Sequence, residues 1–224
     1  MIYIAHRGFA IENPENTIQA IKAARGNCDY IELDIRQCGS GELVVIHDES
    51  VDRVTNGSGL VSEKALIELG ALSVLNTGEG IPTLERALQV IPPDTGVVLE
   101  LKEENIIEAV IPQIAHRDHA FIISSFLPNV LNEVRKSMPG VEFAFIFQSD
   151  PMENLRRAID MQSDYIHPHY ELCLETDLIS KAHEHDIGVH AWPIQTLHQA
   201  EQLVNLNIDG LIADRSGLDP TDNS

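Results

Sequence analysis

Val97-Val98-Leu99-Glu100-Leu101, then a helix-period stretch over 106–115, then Phe121-Ile122-Ile123-Ser124: this run decides the fold. Its two ends are short, nearly continuous apolar runs, the pattern of strands buried on both faces. A helix between two such strands is the crossover that a parallel pair requires. The same unit recurs in both directions. Toward the C-terminus, strands are expected over 143–147, 165–167, 189–192 and 211–213, with helices over 130–137, 155–161, 178–185 and 200–206. Toward the N-terminus, strands over 2–5 and 30–35 bracket a helix with Ile18, Ile21 and Ala24 at helical spacing and Pro14 and Asn16 ahead of it. A helix over 83–91 stops at Pro92-Pro93. A further apolar run over 43–46 follows Gly39-Ser40-Gly41, a hairpin-like turn. Leaving that run aside, eight strands remain, and each but the last is followed by a helix. Eight such units in 224 residues predict an α/β fold, a closed (β/α)8 barrel. An open doubly wound sheet is the weaker reading, because no Gly-x-Gly-x-x-Gly follows the first strand. The stretch 47–82 breaks the alternation with Thr55-Asn56-Gly57-Ser58-Gly59 and a modest helix candidate over 63–69. It reads as a loop insertion after the second strand. The expected organisation is one domain over 1–224 with a compact insertion at 48–80, and an eighth outer helix that is short or absent.

Charge narrows the function classes. Fifteen basic against thirty-five acidic side chains give a net charge of −20. Nucleic-acid surfaces need clustered Lys and Arg, so nucleic acid is not an expected partner. A basic membrane-surface patch is equally disfavoured. No apolar run approaches the ~18 residues of a membrane span. The opening Met1-Ile2-Tyr3-Ile4-Ala5-His6 has no basic n-region, and no signal peptide is expected. Cys28, Cys38 and Cys173 are odd in number and lack a CxxC spacing, so neither a disulfide framework nor a zinc ribbon is expected, and a reducing cytoplasm is the default.

In a (β/α)8 barrel the side chains at the C-terminal ends of the strands meet around one pocket. Those ends here are His6-Arg7-Gly8, Glu32-Leu33-Asp34, Glu100-Leu101-Lys102, Ser124-Ser125, His167 and Trp192. Residues two apart on a strand share a face. Glu32 and Asp34 therefore point together, as do Glu100 and Lys102. Three converging carboxylates repel unless a cation or raised pKa values relieve them. Hard oxygen donors without nearby cysteine favour one divalent cation, Mg2+ or Ca2+. Arg7 presents a planar fork suited to phosphate oxygens. His6 and His47 are of the residue type that can donate or accept a proton near neutrality. Together these residues form a set for phosphoryl transfer. Taken alone, His47 reads as a loop histidine bonded to Asp48. His116, His119, His183, His185 and His198 read as solvated surface. His167 and His169 flank Pro168, with a pocket-lining and a structural role both open. His190 reads as a hydrogen-bonded core histidine one layer below Trp192. Trp192 itself is either core packing or an apolar wall for substrate.

These residues resemble the glycerophosphodiester phosphodiesterase family over nearly the whole chain, from His6 to Asp214. The elements that carry the likeness are His6-Arg7-Gly8, Glu15-Asn16-Thr17, Tyr30-Ile31-Glu32-Leu33-Asp34, Val45-Ile46-His47-Asp48 and Arg53-Val54-Thr55-Asn56-Gly57-x-Gly59. Ile81-Pro82-Thr83-Leu84-Glu85, Glu100-Leu101-Lys102, Ser124-Ser125-Phe126, His167-Pro168, Trp192 and Asp209-Gly210 follow in order.

The resemblance implies a (β/α)8 barrel with a small insertion after the second strand. It implies a divalent cation on Glu32, Asp34 and Glu100, His6 and His47 as the acid–base pair, and Arg7 and Lys102 as contacts to the substrate phosphate. The mechanism drawn for such enzymes has the substrate's own neighbouring hydroxyl attack phosphorus; water then opens the cyclic phosphate to glycerol 3-phosphate. Three positions depart from the family pattern: Gln195 where Asn is usual, Leu127 after Ser-Ser-Phe, and Ala213 before Asp214. The alternatives are the same chemistry on a larger lipid, as in a lysophospholipase D, and a non-catalytic barrel that binds phosphoesters. The intact set of His6, His47, Glu32, Asp34 and Glu100 argues against the last.

Overall fold

The structure, a computed structural model, describes residues 1–220. Nine strands form one sheet: β1 (Ile2–Ala5), β2 (Tyr30–Gln37), β3 (Leu43–Val45), β4 (Gly96–Leu101), β5 (Phe121–Ser125), β6 (Glu142–Phe147), β7 (Tyr165–Pro168), β8 (Gly188–Ile194) and β9 (Gly210–Ala213). Eight of them run parallel in the order β1-β9-β8-β7-β6-β5-β4-β2, and the pairing of β1 with β2 closes the barrel. β3 lies antiparallel on β2, with Ile35 opposite Val45, and is the hairpin arm expected from Gly39-Ser40-Gly41.

The helices that cover the barrel are α1 (Ile18–Ala24), α3 (Leu84–Val90), α4 (Ile107–Ile114), α5 (Pro128–Ser137), α6 (Pro151–Met161), α7 (Tyr170–Glu175), α8 (Leu178–His183) and α9 (Leu197–Val204); α2 (Leu66–Gly70) sits in the insertion. Thr17, Thr83 and Thr196 cap α1, α3 and α9 by accepting a backbone N–H, which satisfies one of the orphan donors at each helix start. Among the described residues no helix follows β9. α7 was not visible in the sequence. Its six residues begin one residue after the strand that ends at Pro168, and are too few to show a helical period. The insertion has its own small core of Val51, Val54, Val61, Leu69 and Val74, packed against Val44 and Ile46 of the hairpin arm.

Alternation along the strands explains the site. Ile31, Leu33 and Ile35 of β2 pack outward under the helices, as do Val97, Leu99 and Leu101 of β4. The opposite parity faces the barrel axis, where Ile4, Val98, Ile122, Ala144 and Ile212 form the inner core. Glu32, Asp34, Glu100 and Ser124 share that inward parity one or two pleats higher. Deep in the barrel, bulk and void alternate. A Cβ at Gly210 would lie 2.5 Å from the ring of His190, so glycine there makes room for that imidazole.

Candidate active site

β1 ends in a tight turn over His6–Gly8 with Arg7, Gly8 and Phe9 all left-handed, at φ 52°, 78° and 66°. Non-glycine residues rarely adopt this conformation, and it aims Arg7 across the barrel mouth. A Cβ on Gly8 would strike the backbone of Ala20 at 2.8 Å, so only glycine lets α1 approach this turn. Arg7 N–H donates to Glu32 Oε2 at 2.9 Å.

Parallel pairing of β2 and β4 sets Asp34 beside Glu100 in register, with Glu32 one pleat below. One oxygen from each of Glu32, Asp34 and Glu100 falls within 4.8 Å of the others, and all three residues are buried. Asp34 is held from three sides. Asn16 Nδ2 donates to Oδ2 at 2.7 Å. Arg7 Nε lies 3.0 Å from Oδ2 and Lys102 Nζ 2.9 Å from Oδ1. These last two are ion pairs by distance, without aligned hydrogen-bond geometry. Lys102 also bonds Glu100 Oε1. Glu32 Oε1 is buried with no partner among the described residues.

The electrostatics follow from this geometry. Burial, reinforced by the Asp34 and Glu100 charges, pushes the Glu32 carboxyl well above its ordinary range. Burial and Asp34 also raise Glu100. Burial works against the Asp34 carboxylate as well, but Lys102 and Arg7 outweigh it and hold the group ionised far into acid. Two carboxyls that resist ionisation, one unpartnered buried oxygen and an all-oxygen donor set are what a hard divalent cation relieves. The residues present fit such an ion.

Both histidines are anchored through Nδ1 by a carboxylate. His6 Nδ1 is 2.5 Å from Asp214 Oδ1, and Gln195 Nε2 donates to the other oxygen of Asp214 at 2.8 Å. His6 Nε2 is 3.9 Å from Glu32 Oε2. His47 Nδ1 is 2.6 Å from Asp48 Oδ1, and Asp48 is gripped by Arg53, whose Nε donates at 2.6 Å. Arg53 continues to Glu15 at 2.8 Å, and Glu15 bonds Arg7 at 3.0 Å. Burial and the nearby Lys102 and Arg7 charges outweigh Asp34 and Asp48 and lower the His47 imidazole below its ordinary value.

His6, Arg7, Glu32, His47, Glu100, Lys102 and Trp192 open into one cavity of about 350 Å³, whose apolar side includes Phe126 and Ile146. Asp34 lies just beneath them, fully buried. Trp192 sits edge-on to Phe126 with centroids 5.7 Å apart. Thus the structure brings all eight candidate residues together. Arg7 and Lys102, expected to face a phosphate, are engaged here with the carboxylates. Gln195 is spent on Asp214 and is not among the residues lining the cavity. Leu127 packs against the outer core and Ala213 is fully buried in it.

Three groups escaped sequence reasoning. Asp214 is 208 residues from His6, and only barrel closure brings them together. Arg53 and Glu15 stand in separate motifs, and only the fold joins them in a ladder. His119, expected on the surface, is half-buried with Nε2 3.2 Å from the Ile91 carbonyl, whereas His116, His183, His185 and His198 are exposed.

Below Trp192, His167 Nε2 and His190 Nδ1 are 3.1 Å apart, and both rings are buried. Burial lowers His190 to about 4 and His167 well below its ordinary value. A histidine whose folded pKa is depressed stabilises the fold above its unfolded pKa of about 6.5, and that stability is lost as pH falls toward the folded value. His190→Leu is therefore expected to be destabilised at neutral pH, with a deficit against wild type that shrinks by about 2 kcal/mol in acid. Urea unfolding of both proteins at neutral pH and near pH ~4.5 measures this. A deficit that stays constant with pH would place a charged histidine in the barrel.

Residues 6–218 match the model of the glycerophosphoryl diester phosphodiesterase family. A glycerophosphodiester phosphodiesterase of Caldanaerobacter subterraneus subsp. tengcongensis is 33% identical over 95% of this chain and 93% of its own length. A phosphodiesterase structure from Oleispira antarctica, in complex with the product sn-glycerol-3-phosphate, superposes with a TM-score of 0.87 at 26% identity, covering 96% of this chain and 93% of the other. The glycerophosphodiester phosphodiesterase of Agrobacterium tumefaciens shares the fold with a TM-score of 0.84 at 23% identity, covering 98% of this chain and 99% of the other. On the match over residues 6–218 and the 33% identical relative, the chain belongs to the glycerophosphoryl diester phosphodiesterase family.

Proposed function

We propose that this chain hydrolyses glycerophosphodiesters, such as glycerophosphocholine, to glycerol 3-phosphate and the free alcohol. One observation carries the reading: two histidines, each tied by Nδ1 to its own carboxylate, open with a buried three-carboxylate cluster into a single cavity. Glu32, Asp34 and Glu100 hold one divalent cation, Mg2+ or Ca2+, which when bound stabilises negative charge on the phosphoryl oxygens. With all groups ionised, three carboxylates against Arg7 and Lys102 leave the site one charge negative. A divalent cation makes it one charge positive, and an anionic diester becomes welcome in a protein of net charge −20.

The chain's own residues do the rest. Anchoring at Nδ1 leaves Nε2 of His6 and of His47 as the working nitrogens. One accepts the proton of the glycerol hydroxyl beside the phosphate as that oxygen attacks phosphorus. The other donates a proton to the departing alcohol oxygen. Water then adds to the cyclic phosphate with the two roles exchanged. Arg7 and Lys102, at the same cavity, would bind the phosphate oxygens. Trp192 and Phe126 form the apolar wall for the leaving group. A cavity of about 350 Å³ suits a head group better than an acyl chain, which favours a small diester over a lysophospholipid.

The domain reading is one barrel over 1–224 with 48–80 as its insertion. The cytoplasmic placement rests on three free thiols, Cys28, Cys38 and Cys173. No helix among the described residues is long and apolar enough to cross a membrane.

The test is glycerol 3-phosphate release from glycerophosphocholine before and after chelation. EDTA is expected to abolish release, and Mg2+ or Ca2+ to restore it. Full activity after exhaustive chelation would count against the cation site. Turnover of lysophosphatidylcholine with none of glycerophosphocholine would replace the small substrate by the lipid.

A further inference from the structure

Ser124 is a hydroxyl that the fold does not use. It sits on β5 in register with Glu100 and lines the cavity. It is 1% exposed, and its Oγ has no hydrogen-bond partner among the described residues. Its neighbour Ser125 shows the contrast. Ser125 Oγ donates to the Leu101 carbonyl at 2.7 Å and accepts from Leu127 N–H at 3.1 Å, so it serves the β5–α5 turn. Burying an unpaired hydroxyl is costly, and alanine would pack there without that cost. An orphan aimed into a ligand cavity points to a ligand atom.

Two strands away His167 lines the same cavity. Its Nε2 is committed to His190 Nδ1, and one proton serves that contact. If His167 donated it, His190 Nε2 would be a buried, unpartnered N–H. If His190 donates it, Nε2 is a bare lone pair. Orphaned buried N–H groups are rarer than under-satisfied acceptors. That favours the second arrangement, which leaves His167 with an N–H at Nδ1 for a ligand. His190 is fixed for this task by stacking on Tyr165, with centroids 4.5 Å apart, and by the missing side chain of Gly210. Trp192 Nε1 donates to the His167 carbonyl at 2.8 Å and locks the backbone of this wall.

We propose that Ser124 and His167 form a polar wall that recognises the glycerol half of the substrate through its terminal hydroxyl, and that His190 is a positioning residue which sets the His167 tautomer. The terminal hydroxyl is the one that plays no part in attack on phosphorus. Its recognition would restrict the enzyme to glycerol diesters among diesters that carry a neighbouring hydroxyl. This rests on the hydrolase reading above.

The experiment compares two phosphocholine diesters, one of glycerol and one of propane-1,2-diol. The second keeps the attacking hydroxyl and lacks the terminal one. Wild type is expected to prefer the glycerol substrate by about 10–100-fold in kcat/KM. Ser124→Ala is expected to bring that ratio down to about 3, chiefly by raising KM for the glycerol substrate. His190→Leu is expected to lower the ratio too. His190→Asn, whose amide nitrogen can stand near the place of Nδ1, is expected to restore it. A merely structural role for His190 would lower both substrates together. Equal turnover of the two diesters by wild type would overturn the proposal and leave the hydrolase reading standing. So would a Ser124→Ala enzyme with an unchanged ratio, or one that loses both substrates alike. Turnover of neither by folded, metal-supplied wild type would instead sink the hydrolase reading on which it rests.

Discussion

His6→Ala is expected to cut glycerol 3-phosphate release from glycerophosphocholine by about 10³-fold, roughly 4 kcal/mol of barrel-mouth chemistry. The size follows from the role. A positioned acid–base group contributes ~10²–10⁴-fold. His6 is held by Asp214 at 2.5 Å, and Asp214 is itself held by Gln195, so its Nε2 is pre-aimed. Alanine removes the proton carrier without disturbing the β1–β9 pairing that places residue 6. The variant should keep wild-type circular dichroism and bind the cation. Asp214→Asn retains a hydrogen-bond partner but permits the wrong tautomer, so its loss should fall in kcat. Retention of more than about a tenth of the activity by a folded His6→Ala protein would remove His6 from the proton path.

Glu32→Gln should abolish metal-dependent activity while making the metal-free protein more stable at neutral pH. Burial and its neighbours' charges raise the Glu32 carboxyl, so the folded protein resists its ionisation. The sign follows from linkage. A carboxyl raised on folding favours the fold below the unfolded pKa of about 4.3, and this advantage is lost as pH rises through the folded value. Glutamine resembles the neutral acid and keeps an oxygen for the Arg7 N–H. Its benefit should therefore be absent near pH ~4 and grow toward pH ~8. Wild type regains this stability when Mg2+ or Ca2+ binds; at 100 times Kd the gain is about 2.7 kcal/mol, worth several degrees in Tm for a chain of this size. Glu32→Gln should show almost no such shift. Asp34→Ala is the counterpart, because it strips Lys102 and Arg7 of a shared buried partner. Breaking such a pair costs about 3–5 kcal/mol. Thermal melts with and without cation separate the cases. An equal metal-induced shift in Glu32→Gln and wild type would show that Glu32 is not a ligand.

The barrel was legible because its strands are buried on both faces and announce themselves as apolar runs. The parity rule alone places Glu32 with Asp34, and Glu100 with Lys102, on one face. The hairpin arm was legible from its two glycines. Other features were not. The left-handed turn at His6–Gly8 has no periodic signal, because it depends on how closely α1 approaches Gly8. The partner of His6 lies at the far end of the chain, and no local pattern reports a contact of that span. For His47 the two readings were offered as rivals, yet the structure contains both: the imidazole is bonded to Asp48 and also faces the cavity. Gln195, a departure from the Asn of the family pattern, reaches Asp214 with its longer arm. A sequence lists which groups exist; the register of the closed sheet decides which of them meet.

That closure has a bearing on biosynthesis. β1 meets β2 over only two residue pairs but meets β9 over four. Beyond β9, Tyr3 Oη donates to the Arg215 carbonyl at 2.5 Å and accepts from Leu218 N–H at 3.1 Å. The first strand is thus seated chiefly by the last. Domains emerge from the ribosome N-terminus first, and contacts of long span form late because loop closure must precede them. Throughout most of translation His6 is exposed without its carboxylate, and the cavity lacks a wall. A nascent chain can therefore carry nearly every residue of the proposed site and remain inert toward cellular phosphodiesters until its final strand docks.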